Sequence, residues 1–397
     1  MNLLVNPSPR LLEYVERIQV HLSLGMDPRL LTDRTPAGRE KDLQLLRQVA
    51  KRARVVPAFD ELEPIIQPSY AAVASPQAFE AQIEQLASMA TQHESILALR
   101  ELLDVWNHVS GIVGRIIQNT DYKMKPVMLA TSVRRSLSAR TLLAPAGDVQ
   151  VILFFARIFS FFEHVSFLLP LAIPEDAINT ESLNDFPQLV IQESNSFATD
   201  AKFHFTVRSM LSRYRDGAIN FDRKWSHGFG EYRRLVAQDM ASAMQFFVMA
   251  HEMAHCICEH MGTIQHWSFA ADDKTDTLPV DAREMERNWE QEEEADFVGF
   301  RLGMAISHRH GIPNQTYSWA CYLLFYALSR CSLSLSTAKP NLVPERWRQR
   351  KTHPPSAQRQ SWIEEIATSY EPALGPTGGP ITFEPVKALC RLLDNYI

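Results

Sequence analysis

His251-Glu252-Met253-Ala254-His255 is the stretch on which the reading of this chain turns. On a helix, residues four apart share a face, so His251 and His255 can present two imidazoles to one ion. Glu252 is rotated away from both. A carboxylate there lies beside the ion rather than on it, the place for a general base acting on a metal-activated water. Two histidines leave a tetrahedral zinc short of ligands, and a catalytic site needs a third protein ligand plus one open position. Glu292-Glu293-Glu294-Ala295-Asp296 answers that need. Glu292 can supply the third ligand. Asp296, one turn on, can accept a hydrogen bond from a ligand histidine and fix its tautomer.

The bland alternative for the first pattern is a helix with two half-buried histidines; the second pattern, on a helix of its own, weighs against it. The longer zinc pattern HExxHxxGxxH is excluded, because Cys258 and Met261 stand where its glycine and third histidine would be. His260 is one residue out of register and reads as a solvated residue near the helix end. Glu290, Glu293 and Glu294 read as a solvated acidic face. Cys256 and Cys258, two apart, point in different directions on a helix and cannot jointly join the histidines.

The spacing predicts a metal helix over 231–261. Met240, Met244, Phe247, Val248, His251 and His255 form one stripe that is apolar until the histidines, so these point toward the core. A second helix is expected over 281–310, stopped by Gly311-Ile312-Pro313, with Gly299 allowing close approach to its neighbour. The acidic loop between them, 263–280, is a candidate lid. Residues 316–335 read as a core helix.

Composition sets the class. With 46% hydrophobic and 22% charged residues the chain is an ordinary globular protein, and a net charge of −6 argues against nucleic acid as a partner. Five cysteines, an odd number in mostly apolar helical surroundings, suit buried thiols in a reducing compartment. Prolines and charges interrupt the N-terminus before any apolar leader forms, so no signal peptide is expected and the location is read as cytoplasmic. Val149–Ile173 is long enough to span a membrane, but Arg157, Glu163 and His164 within it favour a buried core helix.

Around these elements the chain reads as mainly α, in two domains. Residues 1–145 are expected to be an all-helical scaffold or partner-binding domain, with helices at 8–23, at 37–55 and from Ser75-Pro76 onward. Pro145-Ala146-Gly147 marks the boundary. Within 146–397, Leu189–Gln192 and Phe203–Val207 have strand character, and His227 reads as a surface residue in a turn. Thr352-His353-Pro354-Pro355-Ser356-Ala357-Gln358-Arg359 is a proline-stiffened turn leading into a helix, and a last short helix starts at Pro385.

HEMAH, EEEAD and THPPSAQR stand in that order, and together they resemble the M48-type gluzincin metallopeptidases, the group of the CAAX-processing, HtpX-like and BepA-like enzymes. The likeness covers three short motifs over about a hundred residues. It implies an α+β zincin-like domain with a small sheet, with zinc held by His251, His255 and Glu292, Glu252 as base and Asp296 behind the ligands. It also implies that His353 and Arg359, matching a late His-Pro motif with an arginine six residues on, lie near the active site. The chain departs from many members in showing no convincing span and no leader. It is also weakly similar to the Lit-type phage-exclusion peptidases. The expectation is a soluble zinc-dependent endopeptidase acting on a protein or peptide substrate, its water activated by zinc and Glu252, with the N-terminal domain available to a regulatory partner. The alternative is a non-catalytic regulatory or binding protein in which zinc ties two helices together.

Overall fold

The computed structural model describes residues 4–5, 7–23, 96–120, 123–132, 139–144, 147–155, 157–174, 177–178, 183–195, 197, 229–260, 282–338, 354–370 and 381–394. The backbone packs as two units, residues 1–158 with 259–271 and residues 159–258 with 272–397. The chain is mainly helical with one small sheet.

The first unit holds that sheet. Its strands are β1 (Val127–Ser132), β2 (Ala139–Leu143) and β3 (Gln150–Phe155), in the order β1-β3-β2. The central strand β3 pairs parallel with β1, Leu129 opposite Ile152, and antiparallel with β2, Thr141 opposite Ile152. Val151, Ile152, Leu153 and Phe154 are all buried, as a strand covered on both faces requires. On one face Leu11 and Val15 of α1 (Pro9–Ser23) pack with Met128, Ala130, Val151 and Leu153. Helix α2 (Ile96–Gln118) also packs on β1. The outer edge of β1 is covered by its own chain: Val5 N–H donates to Val127 O at 3.0 Å, and the buried Gln19 side chain donates to Thr131 O at 2.8 Å.

Several expectations about the secondary structure are corrected here. Residues 1–145 are not all helical, since β1 and β2 lie within them. Val149–Ile173 is not one core helix: it is strand β3, then α3 (Arg157–Ser166) and α4 (Leu168–Ala172). A continuous apolar run carries no period that separates a buried strand from a buried helix, and the β-branched and aromatic residues of Val151–Phe155 decide for the strand. The division between the units accordingly falls at Ile158, beyond the Pro-Ala-Gly turn. Leu189–Gln192 is helical, inside α5 (Phe186–Glu193), where Pro187 stands in the first turn and Phe186, Leu189 and Val190 are buried at helical spacing. The sheet belongs to the unit that does not carry the two motif helices, and among the described residues of the second unit there is no strand. No helix among the described residues is long and apolar enough to cross a membrane. The expected helix at 37–55, the start of the helix at Ser75, the run Phe203–Val207, His227 and the loop 263–280 lie outside the described residues.

The second unit is built around α6 (Glu231–Ile257). This helix is buried nearly all round: Met240, Met244, Phe247 and His251 on one side, Ala243, Phe246, Ala250 and Met253 on others. An apolar girdle of that width marks a central helix rather than a surface one. Its N-terminus is tied down by Arg233, whose Nη2 donates to Ile173 O at 2.6 Å. Helices α7 (Ala282–Arg309) and α8 (Asn314–Ala338) pack directly on it, and α9 (Ser356–Tyr370) lies against both. Helix α7 ends as expected: Gly311 takes φ +74°, and Ile312 N–H reaches back to Ser307 O at 2.9 Å. Gly303 of α7 faces the Tyr317 hydroxyl, which donates to Phe300 O at 3.0 Å. The last helix, α10 (Glu384–Asp394), is fastened to α8 where Tyr326 donates to Asp394 Oδ1 at 2.6 Å.

Candidate metal centre

The two motif helices meet at a glycine. A Cβ built on Gly299 would lie 2.7 Å from the Cα of His251 and 2.8 Å from its backbone nitrogen. No side chain fits there, so α6 and α7 approach backbone to backbone at the first histidine. Glu292, Asp296 and Gly299 follow i, i+4 and i+7 and share one face of α7. Seating that face against α6 at Gly299 therefore carries both acidic side chains to the histidines.

The structure brings together the three residues expected to hold an ion. The two imidazole Nε2 atoms stand 3.1 Å apart. Glu292 reaches them with Oε2 at 3.6 Å from His251 Nε2 and Oε1 at 3.5 Å from His255 Nε2. Donor atoms around a four-coordinate ion with bonds of about 2.1 Å sit roughly 3.4 Å apart. The observed separations bracket that spacing, and two imidazoles with one carboxylate are a donor set that takes a divalent ion. These residues could hold a metal. Their side chains are only 8% (His251, Glu292) and 12% (His255) exposed.

Asp296 stands behind His251. It is fully buried, and its Oδ1 lies 2.9 Å from His251 Nδ1. Arg359 grips the same carboxylate with Nε to Oδ2 at 2.7 Å and Nη2 to Oδ1 at 2.5 Å. Burial pushes the Asp296 carboxyl up, but Arg359 and His251 together hold it below the usual carboxylate range. An ionised Asp296 only accepts, so His251 Nδ1 carries the hydrogen and Nε2 is left with its lone pair toward Glu292 and His255. Arg359 also comes 3.5 Å from His251 Nδ1; both atoms carry hydrogen, and both are satisfied by Asp296.

Arg359 arrives by a route the sequence indicated. Pro354-Pro355 delivers the chain into α9, and the Gln358 and Arg359 amides bond back to Pro355 O, so Arg359 lies in the first turn. Its guanidinium lies 4.4 Å from the centre of the Phe325 ring, and its Nη1 is 3.6 Å from Glu292 Oε2. Phe247 stands edge-on to Phe325 at 5.6 Å and beside the His251 ring at 6.1 Å. His353, six residues earlier, lies outside the described residues.

Glu252 is buried next to His251, and its charge acts on both His255 and Arg359. For His255, burial works against the charged form, but Glu292 and then Glu252 outweigh it and leave its pKa above that of an ordinary histidine. Burial and Glu294 push the Cys258 thiol up to about 12, so with no cation beside it the thiol stays protonated at neutral pH. Cys256 is buried in the core. Glu290, Glu293 and Glu294 are exposed, as expected, whereas His260 is buried rather than solvated. Sequence reasoning passed over Phe325 and read Phe247 only as part of the apolar stripe of its helix. Apolar positions of core helices carry no mark of the cation or imidazole they will face.

Comparisons of the chain with family models, curated proteins and solved structures found no match.

Proposed function

We propose that the second unit is a zinc-dependent endopeptidase. The observation that carries the reading is the convergence of His251, His255 and Glu292 from two helices, with Glu252 buried next to the first ligand. His251 Nε2, His255 Nε2 and a Glu292 oxygen would hold the ion, and His2Glu is a donor set that suits zinc. When bound, zinc supplies Lewis acidity toward a water and a carbonyl oxygen.

This chain's own residues do the rest. Asp296 keeps the hydrogen of His251 on Nδ1 and so keeps Nε2 free to ligate. Arg359 holds Asp296 ionised. The Glu252 carboxylate takes a proton from the attacking water and returns it to the leaving amine nitrogen. His353 is the candidate partner for the oxygen that gains charge as the peptide carbonyl is attacked. The substrate class is a protein or peptide, and a cytoplasmic location is part of the same proposal.

Metal analysis of wild type and Glu252→Gln, combined with a search for new protein N-termini in cells expressing each, tests it. Both proteins should carry about one zinc per chain, and only wild type should generate new termini. Equal cleavage by the variant would remove Glu252 from the mechanism. The slight exposure of the three ligand side chains favours one second reading, a zinc tie between helices in a non-catalytic regulatory protein. That reading gains if zinc is bound and neither protein cleaves anything.

A further inference from the structure

Five side chains of the second unit close a circuit of contacts. His251 Nδ1 meets Asp296 Oδ1 at 2.9 Å, and Arg359 holds Asp296 with two hydrogen bonds. The guanidinium carbon of Arg359 lies 4.4 Å from the centre of the Phe325 ring. Phe325 stands edge-on to Phe247 at 5.6 Å, and Phe247 returns to the His251 ring at 6.1 Å. Four helices take part: α6 gives Phe247 and His251, α7 gives Asp296, α8 gives Phe325 and α9 gives Arg359. Both phenylalanines are buried, so the apolar half of the circuit looks like ordinary core. Its position beside the polar half gives it a further task. A guanidinium is a planar fork, and two bonds to one carboxylate leave that plane free to tip about the line joining the pair. The Phe325 face stops the tipping, and the attraction of a ring face for a cation is stronger where water is excluded. Phe247, one turn before His251 on α6, sets a second ring beside the imidazole.

We propose that Phe325 is a positioning residue of the metal centre: it fixes the plane of Arg359, which aims Asp296 at His251 Nδ1, and with Phe247 it braces the imidazole that turns Nε2 toward the ion. This rests on the metal-binding half of the function proposed above. A phenylalanine that only fills the core can be exchanged for leucine at a cost in stability alone. A positioning residue loses metal affinity and ligand geometry as well, although it acts on the ligand only through Arg359 and Phe247.

Three measurements on the full chain test the idea: zinc titration against a competing chelator, the absorption spectrum of the cobalt(II)-loaded protein, and urea unfolding. The proteins are wild type, Phe325→Leu, Phe325→Tyr and Phe162→Leu. Phe162 is the control, fully buried in α3 and packed edge-on to Phe159 at 6.3 Å. Both leucine variants should unfold at lower urea. Phe325→Leu should also bind zinc about tenfold more weakly, the lower end of what losing an outer partner of a metal-bound histidine costs, and should shift the cobalt bands. Phe162→Leu should keep wild-type affinity and spectrum. Phe325→Tyr keeps a ring face toward Arg359 and should match wild type in both. Added to Asp296→Asn, Phe325→Leu should cost little further affinity, because the pair it works through is already broken. If Phe325→Leu does not fold, Phe247→Leu should show the same loss of affinity and the same spectral shift. Wild-type affinity and spectrum in Phe325→Leu overturn the positioning role and leave the metal site standing. So do an equal loss in Phe162→Leu, a tyrosine variant that binds no better than the leucine one, and a full additive loss on top of Asp296→Asn. Wild type that binds no divalent ion at all overturns both this inference and the reading beneath it.

Discussion

Asp296 Oδ1 accepts from both His251 Nδ1, at 2.9 Å, and Arg359 Nη2, at 2.5 Å, so one buried oxygen links the first turn of α9 to the first imidazole of α6. Three helices distant in sequence are locked by that oxygen, and the tautomer of His251 follows from it.

Asp296→Asn should therefore weaken metal binding by roughly 10–100-fold without removing a ligand. The amide can turn its NH2 toward His251 and then no longer holds the hydrogen on Nδ1. Zinc titration against a chelator measures this, and an unchanged affinity would show that His251 does not depend on Asp296.

Gly299→Ala should be costly for its size. The new methyl would meet the His251 backbone at 2.7 Å, and neither helix can yield without moving the ligands. A loss of about 1–3 kcal/mol in a urea titration is expected, accompanied by lower zinc occupancy. An alanine variant with wild-type stability and full occupancy would mean that α6 and α7 are free to part at this point.

Acidification should release the metal earlier than an ordinary histidine site would. Ligation needs His255 deprotonated, and its pKa is raised through Glu292 despite burial. Zinc occupancy should begin to fall while the pH is still above about 6.5, the ordinary histidine value. Retention of full occupancy well below that pH would count against the raised His255 pKa.

Asp239, on α6, makes a separate prediction about stability. Burial lifts its carboxyl from 3.8 to about 6 in the folded chain. The folded pKa is above the unfolded one, so the contribution to stability is present in full below the unfolded value and lost as the pH rises through about 6. At neutral pH this residue costs on the order of 1–3 kcal/mol. Asp239→Asn should raise the urea midpoint at about pH 7.5 and raise it much less near pH 4. An equal gain at both would point to something other than the ionised carboxylate.

The site was more legible in the sequence than the fold around it. His251, His255, Glu292 and Asp296 have fixed spacings on two helices, and Gly299 marked where those helices could close. Both helices end within four residues of their expected limits, because Gly311 and the caps are local signals. The sheet was not legible. Val127–Ser132 and Gln150–Phe155 are covered on both faces, so neither alternates, and pairing across the sheet decides their state. Leu189–Gln192 failed for the opposite reason: four apolar or amide residues suit either state, and the packing of Phe186 and Val190 chose the helix.

The contact between Gly303 and Tyr317 has a consequence for how this chain can vary. The phenol occupies the place a methyl on residue 303 would take, and its hydroxyl holds the Phe300 carbonyl one turn beyond Asp296. The two positions are bound to covary: a larger residue at 303 is admissible only with a shorter one at 317, and such a pair would leave that carbonyl to find another donor.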